Sequence, residues 1–494
     1  MSERIKQLDP KPVWANFYSL TQIPRPSKHE EQVSAFVADF GRQLGLETIV
    51  DEVGNVIIRK PAAPGYEDRQ GVVLQGHLDM VPQKTPETQH DFLKDPIDAY
   101  IDGEYVKARG TTLGADNGMG AAMAMTVLAD KTLKHGPIEA LFTVDEETGM
   151  TGANALKPGV LRGSILLNLD TETNGELYVG CAGGLDANLA VPIQREGIPA
   201  DRELCKLAVA NLKGGHSGVD IGLGRGNAVK LLLRWLNHVA QFDVRLVDIE
   251  GGNLRNTIPR EACAVVAVPK ATRAELFKAL EQEASRMKAE LEGTEPDFCL
   301  AYELTTCAKA QMLTAESHQR VVRAFLVCPN GVIRMSDAVP GLVETSSNMA
   351  AIKMAESQVE VLCLMRSSVE TAKEALAEQM QAAIALAGGT AAFSGGYQGW
   401  KPNVHSAILQ VMKDVYKKRH GQEPKVVAIH AGLECGIIGG KYPAMDMISF
   451  GPTVLHPHSP DERVEIATVQ DTWDFLVHTL ENIPPAAAHP HHTA

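Results

Sequence analysis

At 494 residues the chain is too long for one hydrophobic core and should divide into at least two domains. Lysine and arginine number 47 against 61 aspartates and glutamates, a formal charge of −14 that argues against nucleic acid as a partner. The 8 cysteines show no Cys-x-x-Cys spacing, the first residues do not resemble a signal peptide, and no apolar run reaches the ~20 residues of a membrane span, so reduced thiols and a cytoplasmic location are expected.

Along the chain, strand-like and helix-like patterns alternate from Trp14 to Asp170, with amphipathic helices predicted over 30–44 and 118–134. The short apolar runs 72–75, 138–144 and 165–169, each bounded by turn residues, read as buried parallel strands. His77 and Asp79 follow the first, Glu146 and Glu147 the second, and Asp170 the third, where ligands of open α/β sheets collect. After Gly183-Gly184 the pattern changes to a strand at 204–211, a helix at 226–241 and a long charged helix at 271–291. A weak echo runs through this region: 252–258 leads into a strand at 263–268 and the helix from 271, and 344–350 leads into a strand at 359–365 and a helix at 369–386. A duplicated αβ unit and two unrelated strand–helix pairs fit this echo equally. Core-like signals return with a helix at 404–418, a strand at 426–429 and His458. The expected organisation is a discontinuous catalytic domain, 1–184 and 398–484, interrupted by an inserted lid at 185–397 and followed by a disordered tail at 485–494.

His77, Asp116, Glu147, Asp170 and His458 have the composition of a two-metal hydrolytic site. Two divalent ions about 3.5–4 Å apart need a bridging carboxylate, and Asp116 suits that place. His77 with Asp170, and Glu147 with His458, then give each ion one nitrogen and one terminal oxygen. Asp79 is placed to accept from the second ring nitrogen of His77. Glu146, with no ligand role, is left as the general base toward a water whose pKa the metals lower toward ~7. Each fragment alone is ordinary, since Asp-Asn-Gly is usually a turn and Glu-Glu usually solvated charge; their joint placement at strand ends gives them weight.

The strings 75–84, 108–118 and 145–149 resemble the bacterial aminoacyl-histidine dipeptidases, carnosinase-like members of the co-catalytic zinc peptidase family that also holds aminoacylase-1 and the glutamate carboxypeptidases. The resemblance runs from near residue 10 to near residue 483. It implies an α/β, zinc-exopeptidase-like catalytic domain with a mixed sheet flanked by helices, plus an inserted α+β lid. It also implies two divalent ions per chain, zinc with manganese or cobalt as alternatives, and hydrolysis of unblocked Xaa-His dipeptides, carnosine included, by a bridging hydroxide with Glu146 as base. In that family the histidine matching His216, in the glycine-rich loop 214–218, stabilises the oxyanion from the lid; by residue type alone His216 reads more readily as a loop surface residue, and the resemblance reverses that order. The loop around Gly432 matches the one whose amides help hold the substrate's C-terminal carboxylate, with a helix expected from near Gly436. His458 is preferred over His456 because it directly precedes Ser459-Pro460-Asp461-Glu462, the family pattern.

Arg366, at the end of an apolar strand, is a candidate for bidentate pairing with a substrate carboxylate, and Asn256 a weaker polar contact. The expected partner is a small peptide, with no nucleic acid and no membrane. If the αβ unit is duplicated, one chain carries a complete site, so a homodimer stays open without being needed for catalysis. Two rivals stand: another activity of the same family, such as an aminoacylase, carboxypeptidase or tripeptidase, and a non-catalytic peptide-binding protein that kept its metals. The Glu146-Glu147 pair argues against the second, because a binder needs no base. The final residues 489–494 depart from the resemblance and read as a tail.

Overall fold

The computed structural model describes residues 2–307 and 309–486. The chain forms two compact units, one made of 1–180, 402–428 and 433–494, the other of 181–401 and 429–432. The first unit opens with α1 (Lys11–Thr21) and α2 (Glu31–Gln43), then β1 (Glu47–Val50), β2 (Val56–Lys60), β3 (Val72–His77), α3 (Ala115–Ala129), β4 (Ile138–Thr143), β5 (Ile165–Asn168) and β6 (Glu176–Cys181). Every residue of β3, β4 and β5 is buried, which is why these segments read as unbroken apolar runs. The α3 helix departs from the amphipathic pattern predicted over 118–134. Asp116 and Asn117 in its first turn are not helical, so the regular helix starts at Gly118 as expected; it ends earlier, at Ala129, and nearly all of it is buried, its alanines, glycines and methionines packing on every side.

The inserted unit contributes β7 (Gly183–Pro192), β8 (Arg202–Ala210), α4 (Ala228–His238), β9 (Arg245–Gly251), β10 (Ala262–Pro269), α5 (Arg273–Leu291), β11 (Cys299–Thr305), α6 (Ala315–Val327), β12 (Val343–Met354), β13 (Gln358–Ser367), α7 (Glu370–Leu386) and β14 (Thr390–Tyr397). Its main sheet runs β11-β8-β10-β9-β12-β13-β7-β14. The run β8-α4-β9-β10-α5-β11 supplies one half and β7-α6-β12-β13-α7-β14 the other in mirrored order, with the first run lodged between β7 and α6 of the second. Each run is strand–helix–strand–strand–helix–strand, the ferredoxin-like order. The two segments that echo in sequence differ in conformation: 344–350 lies within β12, whereas 252–258 is a loop with only Thr257–Ile258 extended. One apolar cluster, built on Leu232, Trp235, Val266, Phe325, Val361 and Met380, fills this unit.

Back in the first unit, α8 (Ala407–His420) is capped by the Ser406 hydroxyl, which accepts the Leu409 N–H at 3.0 Å, and is followed by β15 (Lys425–Ile429), α9 (Glu434–Lys441), β16 (Asp446–Ser449) and α10 (Ile466–Glu481). The sheet order is β1-β2-β4-β3-β5-β16-β6-β15, with β4, β3, β5 and β16 mutually parallel and the β1–β2, β2–β4 and β16–β6 pairings antiparallel. This is the expected α/β fold with a mixed sheet and a discontinuous catalytic portion. A small sheet pairs the hairpin Ala99–Asp102/Tyr105–Ala108 with Arg463–Glu465 and Val454–Leu455, and the loop between these last two strands holds His458 and Glu462. Pro485 bridges Arg69 and the Ala486 N–H donates to the Asp68 carbonyl at 2.7 Å; the remainder of the expected tail, from 487 on, lies outside the described residues. Among the described residues no helix is long and apolar enough to cross a membrane.

Candidate active site

The parallel strands end on one set of donors. His77 closes β3, and its Nε2 lies 3.0 Å from Asp116 Oδ1 and 3.3 Å from Asp170 Oδ1. His458 Nε2 lies 3.1 Å from Asp116 Oδ2 and 3.0 Å from Glu147 Oε2. The two oxygens of Asp116 thus face two different imidazoles. Donor atoms of His77, Asp116 and Asp170, and of Asp116, Glu147 and His458, lie within 4.8 Å of one another in each group, as do those of His77, Glu146 and Glu147. Glu146 therefore stands beside the ligand candidates as well as next to Glu147 in sequence. His456 turns elsewhere, its Nε2 3.5 Å from Arg463 Nη2.

Electrostatics agree with a site built for cations. Burial raises Glu146 well above the usual carboxylate range, takes Glu147 to about 7 and also raises Asp170, with neighbouring carboxylates adding to each. His458 is lifted to about 11 by its hydrogen bonds with Asp116 and Glu147. His77 is raised well above its ordinary value, burial opposing and Asp170, Asp116 and Asp79 prevailing. Asp116 is held low; burial works against this, and both histidines outweigh it. Glu147 Oε1 and Asp170 Oδ1 are buried and accept no hydrogen bond. Imidazole nitrogens, crowded carboxylates and unsatisfied buried oxygens are a donor set that fits divalent metal ions.

The supporting contacts explain how segments far apart in sequence hold this shape. Asp79 Oδ1 lies 3.2 Å from His77 Nδ1, and the same carboxylate accepts the Glu146 and Glu147 N–H groups at 3.0 and 3.1 Å and the Ser27 hydroxyl at 2.8 Å. Burial opposes ionisation of Asp79, but these donors hold it at about 2. Several residues that sequence reasoning assigned no role complete the frame. Glu462 accepts the N–H groups of Leu113, Gly114, Ala115 and Asp116 at 2.7, 2.9, 2.8 and 3.2 Å, tying the His458 loop to the Asp116 segment. The buried Arg25 guanidinium donates to the carbonyls of Leu78, Asp79 and Gly114 at 2.9, 3.2 and 2.5 Å. Asn117 Oδ1 accepts the His77 N–H at 3.2 Å; a Cβ on Gly76 would meet that oxygen at 2.3 Å, so only glycine permits the approach.

Two further acids have roles the sequence did not show: Glu434, which reads from the sequence as a helix N-terminal residue and does begin α9, and Glu172. Glu434 is wholly buried and accepts from Gln75 Nε2 at 2.6 Å and Thr143 Oγ1 at 2.7 Å, and Gln75 in turn accepts from Asn168 Nδ2 at 2.5 Å. The network joins β3, β4 and β5 just before their ligand-bearing ends. Glu172, raised to about 9 by burial and then by Asp116 and Asp170, shares a hydrogen bond with Asp116. The buried acids Glu30, Asp79 and Asp145 form another close group, but Glu30 Oε1 is taken by the Lys28 and Asp145 N–H groups and Asp145 by the Thr148 and Thr151 hydroxyls, so it anchors the Glu146 turn.

The inserted unit gathers a second polar group. His216 Nδ1 accepts the N–H groups of Gly218 and Val219 at 3.2 and 3.1 Å, which leaves the proton on Nε2 and makes that atom a donor. Burial, then Arg366, lowers the His216 pKa and keeps the ring neutral. Arg366 is 5% exposed, its Nη1 donates to Tyr397 Oη at 3.0 Å, and its Nε has no partner. His430 Nε2 lies 2.7 Å from Ser346 Oγ. A Cβ on Gly218 would lie 2.2 Å from the His430 carbonyl, 3.1 Å from His216 Cε1 and 3.2 Å from Arg366 Nε, so these residues converge. Asn256 is exposed; its carbonyl accepts the Ser217 N–H at 2.7 Å, and its side chain does not join this group. Gly432 is half-buried and precedes α9, the helix expected from near Gly436, which starts at Glu434 with Leu433 as its N-cap.

Fold and donor set define a metallopeptidase architecture, and the chain belongs to peptidase family M20/M25/M40, whose model matches residues 73–482. Over 486 residues, 98% of this chain and 100% of the relative, it is 46% identical to the cytosol non-specific dipeptidase of Escherichia coli strain K12. Its structure is similar to that of aminoacylhistidine dipeptidase from Vibrio alginolyticus, with a TM-score of 0.94 and 49% identity over 99% of this chain and 100% of that one. The aminopeptidase PepT of Bacillus cereus, at 18% identity and a TM-score of 0.60 over 96% of this chain and 99% of that one, shares the fold.

Proposed function

We propose that the protein is a two-metal dipeptidase that hydrolyses unblocked dipeptides, those ending in histidine among them. The observation that carries this reading is the sharing of Asp116, whose two oxygens face His77 and His458 while Asp170 and Glu147 complete the two groups. Such a set suits two divalent ions bridged by one carboxylate, zinc first, with manganese or cobalt as alternatives. Similarity along almost the whole chain to a cytosol non-specific dipeptidase and an aminoacylhistidine dipeptidase supports the substrate class and a cytoplasmic setting.

When bound, the ions supply an acidified water and polarise the peptide carbonyl. The protein's own residues do the rest. Glu146 takes the proton from the attacking water and delivers it to the leaving amine. Asp79 accepts from His77 Nδ1–H and so leaves Nε2 as the ligand atom. From the inserted unit, His216 offers its Nε2–H to the oxygen that gains charge, and Arg366 pairs with the C-terminal carboxylate, with amides near Gly432 and the Asn256 side chain as further contacts. A dipeptide's carboxylate lies one residue beyond the scissile bond, so a fixed cation there measures substrate length.

The test is hydrolysis by chelator-treated protein reloaded with zinc, manganese or cobalt, on carnosine, other free dipeptides, N-acylated and C-amidated dipeptides, and tripeptides. Activity restored on free dipeptides is the expected result. Metal uptake with no hydrolysis would make the chain a binding protein, and preference for N-acylated amino acids would make it an aminoacylase.

A further inference from the structure

One row of residues crosses four strands of the inserted unit. Ser346 on β12 pairs with Arg366 on β13, Arg366 with Gly184 on β7, and Gly184 with Tyr397 on β14. Residues directly opposite in antiparallel ladders share a face, so the Ser346 hydroxyl, the guanidinium and the phenol stand on the same side, with no side chain at Gly184. That gap is occupied: a Cβ on Gly184 would lie 2.5 Å from Tyr397 Cε1 and 2.8 Å from its Oη. The Tyr397 ring therefore lies over Gly184 and brings its oxygen to Arg366 Nη1 at 3.0 Å. Arg366 has no carboxylate within ion-pair distance among the described residues, and the phenol oxygen is the acceptor that fixes its fork. Having accepted from Arg366, the phenol keeps its own O–H to donate.

We infer that Tyr397 is the positioning residue of the Arg366 cation and, through its free O–H, a second donor to the carboxylate that Arg366 receives, so that discrimination between a free C-terminal carboxylate and an amide depends on the Tyr397–Gly184 pair. The inference rests on the reading of Arg366 as the carboxylate's partner. Guanidinium and phenol together offer donors on two sides of one anion, which a lone, freely rotating arginine does not. A Tyr397 that only filled space would tolerate loss of its oxygen, since phenylalanine keeps the ring over Gly184.

The experiment compares kcat/KM for a free dipeptide and its C-terminal amide in the metal-loaded wild type and in Arg366→Ala, Tyr397→Phe and Gly184→Ala, each with metal content and unfolding midpoint checked. Loss of a hydrogen bond to a charged group predicts an acid-to-amide ratio about 10-fold lower in Tyr397→Phe, mainly through KM on the acid. Gly184→Ala, whose methyl must displace the ring, should lower the ratio likewise. If Arg366→Ala loses discrimination while Tyr397→Phe keeps the wild-type ratio, the inference is overturned and the anchor reading stands. A wild type that does not distinguish acid from amide overturns the anchor reading itself, and the inference with it. Equal loss on both substrates in Tyr397→Phe would reduce Tyr397 to a packing residue.

Discussion

Replacing Glu462 with glutamine probes the frame of the site without touching a ligand. The carboxylate accepts four backbone N–H bonds, Oε2 from Leu113 and Gly114 at 2.7 and 2.9 Å and Oε1 from Ala115 and Asp116 at 2.8 and 3.2 Å. Glutamine keeps one acceptor oxygen and turns an NH₂ toward the other two donors. Two bonds are lost and two lose their charge assistance, at about 1.5–3 kcal/mol for each bond to a charged group, or roughly 3–6 kcal/mol for the two lost. Part of this is offset, because burial and the nearby Asp116 already raise the Glu462 pKa and make its ionised form costly. The lower end, about 3 kcal/mol, is therefore expected in stability. Through the displaced Asp116 segment, metal affinity should fall about 10–100-fold. Chelator-competition titration and denaturant unfolding read the two effects. A glutamine variant that binds metal as tightly as wild type, with an unchanged midpoint, would show that the four bonds do not hold the Asp116 segment in place.

Glu146→Ala should leave metal content intact and lower kcat by about 10²–10⁴-fold, whereas Glu147→Ala should lose metal; elemental analysis with steady-state kinetics separates them, and exchanged phenotypes would mean the neighbours are named the wrong way round. Asp116→Ala should weaken binding of both ions together in a metal titration, and loss of only one would refute the bridge. His216→Ala should lower kcat much more than it raises KM with metal content unchanged, and a near-normal kcat would return His216 to an ordinary loop residue. His318, on α6, is held at about 4 by burial and then by Arg245, its Nδ1 accepting the Leu246 N–H at 3.2 Å. The unfolded chain's histidine binds a proton below about 6.5 while the folded one stays neutral, so this group's contribution is complete above pH ~6.5 and is lost as pH falls toward ~4, by roughly 3 kcal/mol. His318→Phe should flatten that part of the stability–pH curve, and an unchanged slope in unfolding measured from pH 7 to 4.5 would contradict it.

The centre of the first unit's sheet was legible because β3, β4 and β5 are buried on both faces. The runs at 72–75, 138–144 and 165–169 announce strands by composition, and the residues after them fall where a parallel sheet presents its ends. The α3 helix was placed but misjudged in character, since a helix buried on all sides has no polar stripe to mark its limits. The inserted unit's nested order was not readable, because β7 is separated from its own run by more than a hundred residues and strand pairing over such distances leaves no local pattern.

The donor candidates were legible for a different reason: metal chemistry restricts residue type, and histidine or carboxylate at a strand end is a short list. Apart from Asp79, placed beside His77 by its spacing, their supports were not, because a group that acts on the backbone is under no such restriction from its partners. Glu462 stood in the string that marks His458, yet its four partners are N–H groups that any residue carries. Arg25 lies some fifty residues before the first ligand it frames and meets only carbonyls. Glu434 reads as a helix-start acid, and only the strand order, which puts Gln75 and Thr143 on neighbouring strands, reveals that it closes a network under three strands. The frame is thus written in geometry where the ligands are written in composition, and for that reason conservative changes in the frame, Glu462→Gln before any other, are the substitutions that separate a positioned metal site from a mere collection of acids and imidazoles.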